Sequence, residues 1–273
     1  MKTPADLTIL PREIAFGRVD GHPRWWLNND PVATAFYNAL SITFPLGERF
    51  FMDAVKNYRH RTPPELQAQI NAFLKQEAMH SREHVFFNKQ LTEHGYDIRP
   101  AEKRLEWRIN LSRKAPHAVQ LCATAALEHF TAIMAHEILR DPSYFEGCSE
   151  EASRMWRWHA MEEVEHKAVA FDTLTAAVRG GPVGRWTLRS LVMLIATLLF
   201  SYTITRNVAD LFKQDGISNG RSWGRMFDYL WGSRGLARRL FPAYLAYYRP
   251  GFHPWEVDDR ELIAPLQSEM APG

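Results

Sequence analysis

The chain has 273 residues, 46% apolar and 23% charged, enough to bury a sizeable core as one large domain with an appendage. A net charge of +2 excludes a dedicated nucleic-acid binder. Two cysteines, Cys122 and Cys148, are too few for a disulfide framework and lack metal-site spacing, so a reducing, cytoplasmic setting is expected.

Residues 1–30 read as an irregular arm broken by Pro4, Pro11 and Pro23. No basic start followed by an apolar run marks a signal peptide. Four long helical patterns follow. The first covers 31–60, with Pro45 expected to kink or split it. The second opens at Pro63-Pro64 and ends at Gly95, residues suited to a helix start and a helix end. The third runs from Pro116 to Arg140. The fourth starts at Ser149, an N-cap followed by Glu150 and Glu151, and ends at Gly180-Gly181-Pro182. The link from Gly95 to Ala115 is long and carries a short helical candidate, AEKRLEWRINL. No strand-like alternation of any length interrupts 31–180. The expected fold is all-α: a four-helix bundle over 31–180 with one long crossover, plus a C-terminal extension over 181–273.

The extension differs in character. Residues 179–250 hold eleven Arg/Lys against three Asp, and the stretch from 251 onward one Arg against five acids. The run LVMLIATLLF lies between Arg189 and Arg206, which have sixteen residues between them, or about 24 Å of helix at ~1.5 Å per residue. A bilayer core needs about 30 Å. A buried or dimer-interface helix is the first expectation, and a helix lying in a membrane surface the second. The aromatic and arginine-rich tail reads as a cover on the bundle or as a contact for anionic lipid.

Residues three or four apart on a helix share a face. The stretch WHAMEEVEHKAVAFD puts His159, Glu163 and His166 on one face of the fourth helix. The second helix carries KQEAMHSREH, with Glu77 and His80 three apart. Glu48 on the first helix and Glu128 on the third stand in apolar surroundings, where an unpaired carboxylate costs several kcal/mol. Arg49 is the one nearby cation that the sequence suggests. Two divalent cations held by four carboxylates and two imidazoles resolve the conflict. Asp53 is the alternative to Glu48, because Pro45 affects which face points inward. His60, His94, His117, His129 and His136 read as ordinary surface or cap residues, and Cys122 as a small core residue.

In chain order the pattern is Glu, Glu-x-x-His, Glu, Glu-x-x-His, which resembles the ferritin-like di-iron carboxylate superfamily over about 31–180. Within it the chain looks like a bacterial family labelled predicted metal-dependent hydrolase. The resemblance maps Glu48, Glu77, His80, Glu128, Glu163 and His166 onto six ligands, with Glu77 or Glu128 as a bridge. His159 completes His-x-x-x-Glu-x-x-His, which resembles the last ligand helix of the di-iron arylamine N-oxygenases. It therefore stands as a seventh ligand or as a hydrogen-bond partner of a carboxylate, and His84, four after His80, could serve likewise. Gln76 and Glu162, four before each motif histidine, are placed to orient the ligating imidazoles. An aspartate is common there in the superfamily, so Gln76 is expected to orient more weakly.

Oxygen and imidazole ligands without thiolate suit two iron ions, or manganese. The resemblance implies an oxygenase or oxidase that uses O2 and an external electron donor to hydroxylate, desaturate or N-oxygenate an apolar molecule, and the apolar, arginine-rich extension suits an acyl or lipid one. Phe50, Phe51, Phe130, Met134, Trp156, Trp158 and Phe171 are candidate pocket residues. Two-metal hydrolysis and iron handling are the alternatives. A homodimer and a peripheral contact at the inner membrane face are further expectations.

Overall fold

The computed structural model describes residues 3–16 and 21–270, and among them regular structure is helical, with no strand. The expected first helix is two, α1 (Pro31–Ser41) and α2 (Phe44–Lys56). Pro45 sits in the first turn of α2, where a missing N–H leaves no bond unmade, so it helps to start a helix. The Asp30 carboxylate caps α1 by accepting from the Val32 amide at 2.8 Å. Next, α3 (Pro64–Glu93) ends in a Schellman turn at Gly95, φ +88°, with Tyr96 N–H donating to the Leu91 carbonyl at 3.1 Å. The long connection contains α4 (Arg99–Ser112), and α5 (His117–Arg140) follows.

The last helix expected before 180 is broken as well. It comprises α6 (Glu150–His166) and α7 (Val169–Ala177), joined at Lys167-Ala168. At the break the Lys167 ammonium reaches the Asp259 carboxylate at 2.5 Å and the Val257 carbonyl at 2.8 Å, and lies 4.0 Å from the Trp255 ring centre. A buried cation satisfied from the C-terminal region is thus seated where the rod is interrupted.

Helix α2 packs along α3, and α5 along α6 and α7. Contacts of α2 with α5, and of α3 with α6 and α7, close these rods around a shared interior. Two apolar clusters occupy different stretches of it. Along α3, Ile70 and Phe73 belong to one cluster and Phe87 and Leu91 to the other. Glu77, His80 and His84 fall between them in the chain.

The remaining helices cover the rods from outside. They are α8 (Gly181–Gln214), α9 (Gly220–Trp231), α10 (Leu236–Ala246) and α11 (Arg260–Glu269). Helix α8 lies on α5 and α1, α10 on α5, and α11 on α6 and α5. Both α5 and α8 are long and apolar enough to cross a membrane. However, α5 is a core helix, and α8 is buried along one face while Leu191, Leu194, Ile195 and Leu198 point outward. Arg189, expected to flank an apolar span, is instead buried and donates to the carbonyls of Tyr247 and Arg249. His129, expected at the surface, is also buried, with Nε2–H donating to the Ala243 carbonyl at 3.1 Å. His136 pairs with Asp259 at 2.7 Å. Cys122 is fully buried, and burial pushes its thiol up to about 12. Among the described residues the arm before α1 has no helix, yet Arg12, Phe16, Trp26 and Leu27 are all buried.

Candidate metal centre

The four rods bring all seven ligand candidates to one place. Glu48 comes from α2, Glu77 and His80 from α3, Glu128 from α5, and His159, Glu163 and His166 from α6. None is more than 4% exposed. Two trios form, each with its atoms within 4.8 Å of one another: Glu48, His80 and His159, and Glu77, Glu163 and His166. The Glu128 carboxylate stands 3.4 Å from His166 Nε2, beside the second trio. The Asp53 alternative fails. Asp53 is an exposed residue paired with Arg113 at 2.8 Å, because the helix restart at Phe44 turns Glu48 inward instead. Arg49 is exposed and neutralises nothing here.

The histidines are held by their far nitrogens. His80 donates Nε2–H to Glu162 at 3.2 Å, which leaves bare Nδ1 facing Glu163 at 3.5 Å and Glu77 at 3.7 Å. His166 donates Nδ1–H to Gln76 Oε1 at 2.9 Å, so its bare Nε2 faces Glu77 at 3.2 Å. The glutamine is therefore part of a longer chain: its Nε2 donates to Glu165 at 2.7 Å, so a carboxylate orients His166 at one remove.

His159 follows the same logic over more steps. Asn88 donates its amide to the Ser41 carbonyl at 3.0 Å, so its Oδ1 accepts the Ser41 hydroxyl at 2.7 Å. Ser41 Oγ must then accept from His84 Nδ1, 2.8 Å away. His84 Nε2 in turn accepts from His159 Nδ1 at 2.7 Å. Burial, and then the neighbouring histidine in each case, keeps both imidazoles neutral: His84 falls well below the usual range and His159 to about 4. What remains is a lone pair on His159 Nε2, 2.9 Å from Glu163 Oε1 and 3.9 Å from Glu48 Oε1. A lone pair that close to a carboxylate is repulsive unless a cation lies between them.

The polar atoms without a hydrogen-bond partner test the fit. Buried atoms of this kind include Glu48 Oε1, both oxygens of Glu77 and of Glu128, Glu163 Oε2, His80 Nδ1 and His166 Nε2. Each belongs to one of six ligand candidates. Orphaned buried polar atoms are rare, and so many converging acceptors are destabilising without cations. Two divalent ions would balance the four carboxylates. In their absence, desolvation and then Glu77 push the Glu48 carboxyl well above its ordinary range, and desolvation, Glu77 and Glu163 do the same to Glu128. Burial would also raise Glu163, but in the metal-free chain the His166 imidazole, whose own affinity for a proton is raised by Glu163 and Glu77, holds it well below.

An outer layer, unforeseen in the sequence, braces these contacts. Arg12 is 2% exposed and bonds Glu162 at 3.2 Å and Glu165 at 2.8 Å. Gln267 from α11 also donates to Glu165 at 2.8 Å, and Ser81 donates to Glu48 Oε2 at 2.7 Å. Glu165 was findable, since it lies three after Glu162 on the same helix. Arg12, in a proline-broken arm, carries no local signal. Of the expected pocket residues, Phe50, Phe51, Phe130 and Met134 line a cavity between α2, α4, α5 and α8. Trp158 instead packs on His80, with ring centroids 4.9 Å apart, and Trp156 on His84 at 5.2 Å. Phe171 joins a separate cluster with Tyr247 and Phe252.

An all-α protein with a buried cluster of carboxylates and oriented imidazoles, fitted to cations, is the class that fold and site define. The chain belongs to the family described as predicted metal-dependent hydrolase, whose model matches residues 10–258. That span takes in Arg12 and α8 as well as the four rods. No curated protein and no solved structure matches the chain.

Proposed function

We propose that the four rods form a ferritin-like bundle, with α4 in its crossover, that holds two iron ions and uses them to oxidise an apolar organic molecule with dioxygen. The observation that carries this reading is the convergence of orphaned oxygen and nitrogen atoms on six buried residues from four rods. His159 joins them as a seventh ligand through Nε2. When bound, the iron pair supplies one-electron and O2 chemistry, and the protein supplies orientation and exclusion of competing reactions. Glu162 and the Gln76–Glu165 pair fix the His80 and His166 rings. His84, Ser41 and Asn88 fix His159. Phe44, with its ring 4.5 Å from His84 and 4.8 Å from His159, and Trp158 keep water from that side of the cluster. The reaction also requires an external electron donor, because inserting one oxygen atom from O2 consumes two electrons and two protons in making water.

Two-metal hydrolysis is the second reading, favoured by the family's description. Against it stands burial, since hydrolysis needs water at a site whose ligands are all closed to solvent. A non-catalytic iron-handling role is the third. Metal analysis of protein purified without added metal, followed by admission of O2 to the reduced iron-loaded protein, separates the three. Stoichiometric O2 uptake with a transient absorption band supports oxidation. A colourless protein that cleaves esters with manganese or zinc supports hydrolysis, and mineral growth on excess ferrous iron supports iron handling. Glu128→Ala should lower bound metal by about half or more.

The outward face of α8 is proposed to rest on the cytoplasmic face of a membrane rich in anionic lipid, since the exposed Arg206 and the half-buried Arg185 border its apolar residues on the same helix. Co-sedimentation with anionic vesicles tests this. A dimer that disperses when the face is altered would assign the face to a second copy instead.

A further inference from the structure

The cavity between α2, α4, α5 and α8 has a volume of about 150 Å3. Its position ties it to the metal centre. Phe44 and Phe51 line it and stand four before and three after Glu48, and Thr131 lines it three after Glu128. Helix geometry thus places its inner wall on the faces that carry these two carboxylates. Phe44 is common to both, since its ring also packs on His84 and His159.

The lining is apolar or hydroxyl-bearing except for one charge, Arg108. Arg108 is half-buried and donates Nη1 to the Leu199 carbonyl at 2.7 Å and to Thr203 Oγ1. It pairs with no carboxylate among the described residues, whereas Arg104, one turn earlier, is neutralised by Asp210 at 2.5 Å. The guanidinium also lies 5.6 Å from the Tyr202 ring centre, and its Nε and Nη2 donors have no hydrogen-bond partner among the described residues, which leaves them for a ligand. An apolar slot with an uncompensated cation in its wall suits a molecule with an apolar body and an anionic end. A cavity of 150 Å3 accommodates a six-carbon body.

We infer that this cavity binds a small amphipathic carboxylate, its apolar segment of about six carbons among Phe44, Phe51, Leu127 and Phe130 and its carboxylate on Arg108. Binding depends on the cavity alone. Only the description of the ligand as a substrate rests on the oxidising centre proposed above.

The test is calorimetric titration of the full, metal-loaded chain with butanoate, hexanoate, 1-hexanol and hexylamine. Affinity should rise about fourfold per methylene from butanoate to hexanoate. Hexanoate should bind more tightly than 1-hexanol, and hexylamine should not bind. Arg108→Gln should weaken hexanoate by roughly tenfold or more and remove the preference over the alcohol, and Arg108→Lys should restore part of it. Arg108 also ties α4 to α8. If the glutamine variant fails to fold, Ala123→Phe fills the cavity with the arginine contacts intact and should abolish binding. Equal hexanoate affinity in Arg108→Gln, unchanged binding in Ala123→Phe, or no binding to the parent at millimolar hexanoate each overturns the assignment. Metal content measured on the same samples keeps the two proposals apart. Hexanoate binding by a chain that takes up no metal upholds the cavity and sinks the centre, while a loaded chain that ignores hexanoate does the reverse.

Discussion

The interior of the rods and the outer face of α8 break the ordinary partition of side chains in opposite directions. Inside, eight carboxylate and imidazole atoms on six residues are buried with no hydrogen-bond partner. Outside, Leu191, Leu194, Ile195 and Leu198 stand in a row at 47–64% exposure. A buried polar atom without a partner is costly, and a contiguous exposed apolar patch marks an interaction surface. Each region is therefore unfinished as a free polypeptide. The inner one lacks positive charge and the outer one lacks an apolar neighbour. The difference also sets how strongly each missing partner should act on stability, since cations at the centre bind all four rods together and a surface contact binds one face.

Removing metal should have the largest effect. A ligand bound only by the folded state at about a thousandfold above its Kd stabilises by roughly 4 kcal/mol per site. Two such sites give roughly 8 kcal/mol, or about 15 °C in Tm for a chain of this size. Dialysis against a chelator followed by calorimetry checks this. A Tm that ignores the chelator would show that the inner region is complete without cations and would break the comparison.

Arg12→Ala comes next. It strips the cation from Glu162 and Glu165 and leaves two buried carboxylates facing each other and the imidazole network. Removing one partner of a buried ion pair costs about 3–5 kcal/mol. Urea denaturation of the metal-free variant against the metal-free parent isolates this from loss of metal. A change below about 1 kcal/mol, typical of an exposed pair, would mean that the arm is not part of the inner region.

These two effects differ sharply in how far the sequence foretold them. Glu77, His80, Glu163 and His166 were legible because helix periodicity is a local rule, and two such pairs in order with Glu48 and Glu128 make a pattern. Arg12 reaches residues 150 and more positions away, and no local rule reports such a contact. The same holds for Asn88 and Ser41, whose hydrogen bonds decide which nitrogen of His159 is bare. The break at Lys167 depends on Asp259 and Trp255, far along the chain. His129 was misread because the helix that buries it, α10, lies in the aromatic and arginine-rich tail, whose packing no periodicity specified.

His129 supplies the third test, where α10 covers α5. Burial, its largest influence, lowers it to about 4, although the hydrogen bond to Ala243 acts the other way. The unfolded chain takes up this proton near the ordinary value of about 6.5, while the folded chain does not until about 4. The unfolded state therefore binds more protons in this window. Stability is fully present above about 6.5 and is lost as pH falls towards 4. The loss should be on the order of 2–3 kcal/mol. His22 in the arm, also lowered to about 4 by burial, contributes with the same sign. His129→Gln should flatten the slope between pH 7 and 5 while leaving metal content alone. An unchanged slope would place the acid sensitivity elsewhere.

The smallest effect on stability should come from the outer face. Leu194 and Leu198 are four apart on α8 and lie on its solvent side, so Leu194→Lys with Leu198→Lys removes no core contact. Exposed positions of this kind usually change stability by less than about 0.5 kcal/mol. The added lysines are attracted to anionic lipid but cannot enter its apolar layer, so they separate the two components of membrane attachment. If insertion of the leucines holds α8 on the surface, co-sedimentation with anionic vesicles falls despite the added positive charge. If charge alone holds it, binding rises, and the outer region is then an electrostatic patch with no apolar partner to gain. An altered Tm in the absence of vesicles would mean that this face is packed against a second copy of the chain.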